Sequence, residues 1–422
     1  MTRRGIWRCA ITLALAIAVI AVSACSSSSS GTGSTTGTTG ASGSAAAGSS
    51  IVVGMICSCS GSSASGLGGG GQVIQAWADS VNAGGGINGH PVKVIVGDDA
   101  DDPTQGLQVA KQLIQQDHVI ALVGVLSTTD DSWAKYADSM GVPVIGGDPT
   151  YTEFSTDPNF FPIGAGLLVT NYAALKLSAQ HGATKIGFMY CAEVPICAQG
   201  AALAKVIAPI AGVQVTYAGK FSATATDYTA PCLALKSAGV DAVWYASNPS
   251  ADVAISADCA QQGLSALHLG VGDTLSDVFL QAPAMSGMVA ASPTYPWFLD
   301  SSPAAKAYRD ALAKYTNGII GTSLDNAVNT VWIGGELFEA AAKAANIGPN
   351  STSADVKKGL YSLKGETLGG LTPPLTFSEG KATQLNCWYT IGIANGQFTA
   401  PNGSNYQCAS PAAVAAIEKA AA

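Results

Sequence analysis

A glycine-rich stretch early in the chain has the spacing of a nucleotide-binding loop. Gly66, Gly68 and Gly71 follow the pattern G-x-G-x-x-G, between an apolar run that predicts a strand and a pattern that predicts a helix. In dinucleotide-binding domains such glycines let the backbone approach a pyrophosphate at a helix N-terminus. Asp98 and Asp99 end the next predicted strand, where an acid that binds ribose would lie. One hypothesis is therefore an exported enzyme with a Rossmann-like domain.

The length of this loop favours a different interpretation. Residues 57–71 separate the predicted strand from the predicted helix, which is too long for the tight turn that delivers a pyrophosphate to a helix. Small Ser and Gly residues also let the backbone approach a small solute and present N–H donors to it. The loop therefore predicts the lip of a ligand-binding cleft. The sequence contains no G-x-S-x-G, H-E-x-x-H or P-loop motif, so we predict no catalytic residue and no cofactor.

Polar and aromatic residues follow several predicted strands, and ligands of open α/β sheets gather outside the carboxyl ends of strands. The candidate ligand-binding residues are Ser127, Thr128, Asp148, Thr150, Tyr151, Tyr190, Ser247, Asn248 and Asp273. Ser, Thr and Asp also favour turns and helix N-caps, so a purely structural role is the alternative at these positions.

The cysteines predict disulfides. Eight remain after Cys9 and Cys25 are set aside, and an even number is typical of an exported chain. Proximity along the chain favours three pairs, Cys191–Cys197, Cys232–Cys259 and Cys387–Cys408. Cys57 and Cys59 are then either paired in a strained short ring or free. A zinc site is the alternative, but the four histidines are scattered and none neighbours a cysteine pair, so we predict no metal.

Length and charge limit the classes of protein and partner. A chain of 422 residues can form two domains with their own cores. The net charge is −8, and it becomes −11 without residues 1–24, which hold three arginines and no acid. Such an acidic protein is a poor match to the phosphates of nucleic acids, so we predict no nucleic-acid partner.

From Ile51 onward, short apolar runs alternate with amphipathic helical patterns. Predicted strands include IVVGMI, PVKVIVG, VIALVG and VPVIGG, and the pattern restarts after Gly166 with TKIGFMY, VQVTYAG, DAVWYAS and ALHLGVG. A helix-rich section covers residues 302–363, and Asn395-Gly396 between two β-rich runs predicts a hairpin. Val/Ile runs alternating with helices indicate parallel strands covered on both faces. We therefore predict an α/β protein with two lobes.

The N-terminal residues predict export. Residues 1–24 combine three arginines with an apolar run that suits a signal peptide. The run ends in VSAC, which resembles the lipobox of bacterial lipoproteins and implies cleavage before Cys25 and lipidation of its sulfur. An ordinary secretory peptide is the alternative. Residues 25–50 are rich in Ser, Gly and Thr and predict a flexible tether. We expect a protein anchored by lipid on the extracytoplasmic face of the cell membrane.

The segment from Trp77 to Gln105, WADSVNAGGGINGHPVKVIVGDDADDPTQ, resembles a helix, turn, strand and Asp-Asp-x-x-Asp-Pro block of type I periplasmic solute-binding proteins. Within that group it looks most like the leucine/isoleucine/valine-binding branch, which feeds ABC importers. The likeness continues through VIALVGVLSTTD, VPVIGGDPTYTEF and LTPPLTFSEGK, and it covers most of residues 51–400.

The resemblance implies a two-lobed α/β fold, each lobe a mostly parallel sheet flanked by helices, with a multi-strand hinge between them. We expect one lobe to comprise residues 51–166 plus about 293–370. The other lobe would comprise residues 167–292 plus about 371–408, followed by a tail at 409–422.

The resemblance also implies roles for individual residues. The hydroxyls of Ser127 or Thr128 and backbone N–H groups around Asp148 and Thr150 would hold a ligand carboxylate, and Asp273 would pair with a ligand ammonium. The implied protein is a monomer that captures an amino acid or a related small carboxylate or amide and delivers it to an ABC permease. A sensor that binds a solute and signals to a membrane receptor would have the same sequence and is the alternative.

Overall fold

The computed structural model describes residues 48–272, 275–316 and 326–422. The predicted signal peptide, the predicted lipidation site Cys25, most of the tether and the candidate residue Asp273 lie outside these ranges.

The first sheet is entirely parallel. Its strands are β1 (Ile51–Cys57), β2 (Val92–Asp98), β3 (Leu122–Val125), β4 (Val144–Gly147) and β5 (Phe160–Phe161). They lie in the order β2-β1-β3-β4-β5. The helices between them are α1 (Ala64–Leu67), α2 (Gly70–Ala83), α3 (Pro103–Lys111, continued by a π-helical turn at Gln112–Gln116), α4 (Asp130–Ser139) and α5 (Glu153–Thr156).

The second sheet repeats this order and then adds antiparallel strands. The next strands along the chain are β6 (Lys185–Cys191), β7 (Gln214–Phe221), β8 (Ala242–Ala246), β9 (Leu267–Val271), β10 (Val289–Ser292), β11 (Lys364–Glu366), β12 (Leu375–Thr376), β13 (Cys387–Ala394), β14 (Gln397–Thr399) and β15 (Gln407–Cys408). Of these, β11 and β12 pair with each other as a separate two-stranded sheet. Strands β7-β6-β8-β9-β10 are parallel neighbours, and β13 pairs antiparallel with β10, β14 and β15. The predicted hairpin is present at Asn395-Gly396, where both residues have positive φ.

The later helices complete the layers around both sheets. They are α6 (Leu167–Gln180), α7 (Pro195–Ala211), α8 (Thr229–Ser237), α9 (Pro249–Gln261), α10 (Pro303–Tyr315), α11 (Asn326–Ala344), α12 (Ser353–Ser362) and α13 (Pro411–Ala421). Short 3-10 turns lie at Asp277–Gln281, Pro283–Met285 and Leu368–Gly370. None of the helices in the described part of the chain is long and apolar enough to cross a membrane.

The chain crosses between the sheets three times. Residues 162–166 lead from β5 to α6, residues 293–302 lead from β10 to α10, and residues 363–386 lead from α12 to β13. Helix α10 packs on α2, and α11 packs on β3 and β4, so the chain returns to the first sheet before it finishes in the second. The predicted fold class, two lobes of mostly parallel sheet flanked by helices, is confirmed.

Each sheet lies between two apolar layers. Trp77 and Phe338 pack on one face of the first sheet, and Trp133 and Phe160 pack on the other. In β8 of the second sheet, the adjacent residues Trp244 and Tyr245 point into different layers, as the two-residue period of a strand requires. The continuous apolar runs of the sequence therefore reflect burial on both faces.

The described residues form four disulfides. The three pairs favoured by proximity, Cys191–Cys197, Cys232–Cys259 and Cys387–Cys408, are confirmed. Cys57 and Cys59 are bonded to each other, with their Cα atoms 5.1 Å apart. The described residues contain no group of three or more His, Cys, Asp or Glu side chains arranged to hold a metal ion.

Helix α11 approaches the first sheet at backbone contact distance. A Cβ atom added to Gly334 would lie 3.0 Å from the Cα of Gly124 in β3 and 3.0 Å from the carbonyl oxygen of Ile145 in β4. Both neighbours are main-chain atoms that cannot rotate away. A glycine is therefore required at this crossing, although it weakens a helix interior.

We expect Gly334→Ala to lower the free energy of unfolding by about 1–3 kcal/mol, because the added methyl overpacks the contact between α11 and the sheet. Gly71→Ala is the matched control, since a Cβ there meets only the side chains of Val96 and Cys59, at 3.4 and 3.7 Å. Urea denaturation measures both. An equal or smaller loss for Gly334→Ala than for the control would contradict the packing argument.

Glu336, on the same helix, is half-buried and forms no ion pair with a cationic side chain among the described residues. Burial raises its pKa to about 7, and the nearby charge of Glu339 adds to the rise. A carboxyl whose pKa is raised by folding stabilises the fold while it is protonated. This contribution is complete below the ordinary value of 4.5 and is lost as the pH rises through about 7.

Glu336→Gln should therefore be more stable than the parent at pH 8, by on the order of 2 kcal/mol, and should lose the parent's fall in stability between pH 5 and pH 8. Glu418→Gln is the control, because Glu418 is an exposed glutamate on α13. Melting temperatures across this pH range measure the difference. An unchanged pH profile in Glu336→Gln would rule out this group as its origin.

Candidate ligand-binding cleft

A cavity of about 140 Å³ lies between the two sheets, at the carboxyl ends of their strands. In each sheet, the direction in which successive strands are added reverses between two neighbouring strands. These are β1 and β3 in one lobe and β6 and β8 in the other. The loops that follow these strands diverge to opposite faces and leave a crevice. Residues from the loops after all four strands line the cavity, so each lobe supplies one wall.

Six of the nine predicted residues line this cavity, namely Thr128, Asp148, Thr150, Tyr151, Ser247 and Asn248. Tyr190 does not line it, because its side chain packs against the core of the second sheet. Ser127 also lies elsewhere, since its side chain is only 1% exposed and its hydroxyl is bonded inside the first lobe. Asp273 is outside the described residues.

The buried carboxylate of Asp99 holds three loops together. It accepts hydrogen bonds from the hydroxyls of Ser58 at 2.6 Å, Ser127 at 2.5 Å and Thr129 at 2.9 Å. Ser58 follows β1, Asp99 follows β2, and Ser127 and Thr129 follow β3. The indole N–H of Trp133 completes this cluster by donating to the Ser127 hydroxyl at 3.1 Å.

A second carboxylate, Asp101, extends the same network toward the cavity. It accepts from the Thr128 hydroxyl at 2.8 Å, the Ser62 hydroxyl at 2.9 Å and the backbone N–H of Ser63 at 2.9 Å. The backbone N–H of Thr128 donates to the Ser58 hydroxyl at 2.9 Å. The glycine- and serine-rich loop is thus fixed by acidic side chains from the neighbouring strand end, and its residues Ser62, Ser63 and Gly66 line the cavity.

Asp148 brings a carboxylate into the cavity wall itself. Its Oδ1 accepts from both the backbone N–H and the hydroxyl of Thr150, at 2.9 and 2.7 Å. Burial raises the pKa of Asp148. Burial also raises the pKa of the neighbouring Asp130 well above its usual value, and the charge of Glu153 adds to that rise. The first lobe therefore presents an acidic wall.

The second lobe supplies an apolar wall. Phe188 in β6 and Trp244 in β8 line the cavity with ring centroids 4.8 Å apart, and the Cys191–Cys197 disulfide lies beside them. The sequence gives no indication that these two aromatics face the cleft, because apolar residues inside a strand are read as core. Asn171 was missed as well, since it lies in helix α6 and not at a strand end.

Three buried polar atoms in this wall lack partners among the described residues. They are the Oδ1 of Asn171, the Oγ of Ser247 and the Nε1 of Trp244, and all three residues line the cavity. Buried polar atoms are normally hydrogen-bonded, so unpaired ones beside a cavity indicate a place where a ligand or water completes the bonding. The walls also touch, because the Asn248 amide donates to the carbonyl oxygen of Ser62 at 3.3 Å.

Two doubly wound lobes, three crossing segments and a cavity lined by both lobes define the class of two-lobed solute-binding receptors. The family model for periplasmic binding proteins matches residues 50–397, and the chain belongs to this family. The resemblance to type I solute-binding proteins predicted from the sequence is thereby confirmed.

Curated relatives support the same branch. A Leu/Ile/Val-binding protein homolog 2 from Brucella abortus is 28% identical over 231 residues, which is 51% of this chain and 59% of the relative. An amino acid binding protein from Pseudomonas aeruginosa is 49% identical over 47 residues, which is 11% of this chain and 13% of the relative. The chain thus matches less than two thirds of the length of either relative.

Solved structures share the fold. A substrate-binding periplasmic protein from Ralstonia solanacearum has a TM-score of 0.71 at 18% identity, covering 83% of this chain and 99% of that one. A solute-binding protein of an ABC transporter from Rhodopseudomonas palustris, in complex with 4-hydroxybenzoate, has a TM-score of 0.69 at 18% identity, covering 86% and 98%.

Asp99→Ala should disrupt the first wall of the cleft. The change leaves the hydroxyls of Ser58, Ser127 and Thr129 without their shared acceptor, so we expect a loss of about 3 kcal/mol or more in unfolding free energy. Asp79→Ala is the control, because within the described part of the chain the Asp79 carboxylate accepts only from the Gln75 amide, at 3.2 Å. Chemical denaturation measures both variants, and equal losses would show that Asp99 does not organise the loops.

Proposed function

We propose that this protein is an extracytoplasmic solute-binding protein that encloses one small amphipathic molecule between its lobes and passes it to an ABC transporter. Membership of the periplasmic binding protein family supports this proposal. The observation that carries it is the cavity with one wall from each lobe, in which buried polar atoms of the second lobe have no partner among the described residues.

The size of the cavity limits the solute. A buried apolar cavity of about 150 Å³ holds a molecule such as benzene. At about 140 Å³, this cavity suits a solute of roughly six to ten non-hydrogen atoms. Its mixed lining, aromatic on one side and polar on the other, favours a solute with an apolar body and a polar end.

Closure would follow from contacts made to both walls. A solute that bonds to both lobes has more contacts in the closed form than in the open form, and it therefore shifts the population toward closure. The three crossing segments would act as the hinge. The bond between Asn248 and Ser62 would be one of the lobe-to-lobe contacts that form on closing.

Anchoring and delivery belong to the same proposal. A lipid on Cys25 followed by a tether of about 25 residues would keep the receptor within reach of a permease in the same membrane. We assign binding to the cleft, because membership of the periplasmic binding protein family and a cavity with one wall from each lobe both support it.

A thermal-shift screen of the mature protein against small amines, amides, amino acids and carboxylates tests the proposal. A solute that binds only the folded form should raise the melting temperature, and small-angle scattering should detect a smaller radius of gyration with it. If no solute in the panel changes either quantity, the proposed function is wrong.

Gly200→Leu provides a variant that blocks the cavity. Gly200 lies in α7 and lines the cavity, and an added Cβ would meet only side-chain atoms, of Asn171 and Phe188, at 3.9 Å. A leucine there should fill the cavity and weaken solute binding at least tenfold without lowering the melting temperature of the free protein. Gly200→Ala is the control and should bind within threefold of the parent. If Gly200→Leu binds the solute as tightly as the parent does, the solute binds outside this cavity.

A further inference from the structure

We propose that the cleft selects a small organic ammonium ion that carries no carboxylate, a ligand class different from the amino acids and carboxylates that the family resemblance implies. This inference rests on the proposed function and names the chemistry of its solute. It follows from which donors and acceptors of the cleft are already in use.

The donors expected to hold a ligand carboxylate are all occupied by the protein's own groups. The Ser127 hydroxyl donates to Asp99, and the Thr128 hydroxyl donates to Asp101. The backbone N–H of Asp148 donates to the carbonyl oxygen of Val125 at 3.2 Å. Both the N–H and the hydroxyl of Thr150 donate to the carboxylate of Asp148. In effect, the Asp148 side chain takes the place that a ligand carboxylate would need.

The charge of the lining points the same way. Asp148 and Glu193 line the cavity, and no Lys, Arg or His does so among the described residues. Glu193 is held at the rim by the Ser222 hydroxyl at 2.8 Å and the backbone N–H of Ala223 at 2.9 Å. An anion brought into this cavity would lose its hydration and meet only like charges, whereas a cation would find a countercharge.

Two of the atoms left open are acceptors suited to an N–H group. The open Nε1–H of Trp244 is a donor, and the Ser247 hydroxyl can donate or accept, so both can serve a neutral polar group of the same solute. The described residues form no hydrogen bond to Oδ2 of Asp148, because both bonds from Thr150 go to Oδ1. The Asn171 side chain donates its Nδ2 to the carbonyl oxygen of Gly200 at 3.0 Å, and this bond fixes the orientation of the amide. Its buried Oδ1, which has no partner among the described residues, is therefore an acceptor. One acceptor lies in each wall.

The remaining lining suits the body of an organic cation. Trp244 and Phe188 form an aromatic pair in the cavity wall, and aromatic faces attract ammonium groups that have lost part of their hydration. The burial that raises the pKa of Asp148 reflects a carboxylate without a countercharge, which a bound ammonium ion would supply.

Calorimetric titration of the unaltered mature protein with matched ligands tests this proposal. The first series keeps one apolar body and changes only the charge: 3-methylbutylamine, 3-methylbutan-1-ol, 4-methylpentanoate and leucine. The second pair compares 4-hydroxybenzylamine with 4-hydroxybenzoate. We expect each amine to bind at least tenfold more tightly than the alcohol, the carboxylates and leucine.

Three outcomes would overturn the proposal, and they differ in whether the proposed solute-binding function also fails. If leucine or a carboxylate binds as tightly as the matched amine and raises the melting temperature, the cation preference is wrong but the proposed solute-binding function stands. If none of these ligands binds while an unrelated solute from the wider screen does, the ammonium class is again wrong. Failure of the entire screen contradicts both proposals.

Asp148→Asn tests the residue on which the inference depends. An asparagine keeps the oxygen that accepts from Thr150 but removes the charge, so amine affinity should fall at least tenfold while alcohol affinity changes less than twofold. Asp138→Asn, an exposed change near the C-terminal end of α4, removes the same charge and should alter neither affinity. Equal losses in both variants, or an unchanged amine affinity in Asp148→Asn, would contradict a direct role for Asp148.

Discussion

A carboxylate buried away from water must be surrounded by hydrogen-bond donors, and the structure of the cleft depends on how this protein meets that requirement at Asp99. No cationic side chain pairs with Asp99 among the described residues, so its oxygens are satisfied by hydroxyls from the loops after β1 and β3. Separating these loops would leave the buried carboxylate with the backbone N–H of Asp101 as its one remaining donor among the described residues, which costs several kcal/mol. The first wall of the cleft is therefore preorganised.

The two walls differ in how far their hydrogen bonds are already made. In the first wall, serine and threonine hydroxyls are engaged by Asp99, Asp101 and Asp148. In the second wall, Asn171, Ser247 and Trp244 keep buried atoms that lack partners among the described residues. The hydroxyls of the first wall are thus already bonded within the protein, and that wall contributes shape, charge and the Oδ2 of Asp148 to recognition. The second wall gains hydrogen bonds at its unpaired atoms when a solute binds. A solute that contacts both walls therefore gains interactions that neither wall offers by itself, which favours binding across the cleft over binding to one lobe.

Sequence reasoning predicted the architecture because apolar runs of β-length alternating with helical patterns admit few arrangements, and the strand ends then indicate one edge of each sheet. It could not determine which side chains at that edge face the cavity. Ser127 and Thr128 are adjacent, yet one turns inward to Asp99 and the other lines the cavity. Phe188 and Trp244 have the same appearance in the sequence as core residues, and Asn171 lies within a helix. Each of these positions is decided by packing between segments distant in sequence, which a local pattern does not encode.

Similarity to receptors whose ligands are known therefore predicts the fold of this protein much better than it predicts its solute. The structure of the 4-hydroxybenzoate-binding protein from Rhodopseudomonas palustris covers 86% of this chain, but at 18% identity the two can share strand order while differing throughout the lining. A single side chain is enough to change the chemistry, because Thr150 can direct its two donors either to a solute or to a neighbouring carboxylate. Here Asp148 accepts both donors. Under the proposed preference for an ammonium ion, this internal carboxylate makes the loop unfavourable for a solute of negative charge.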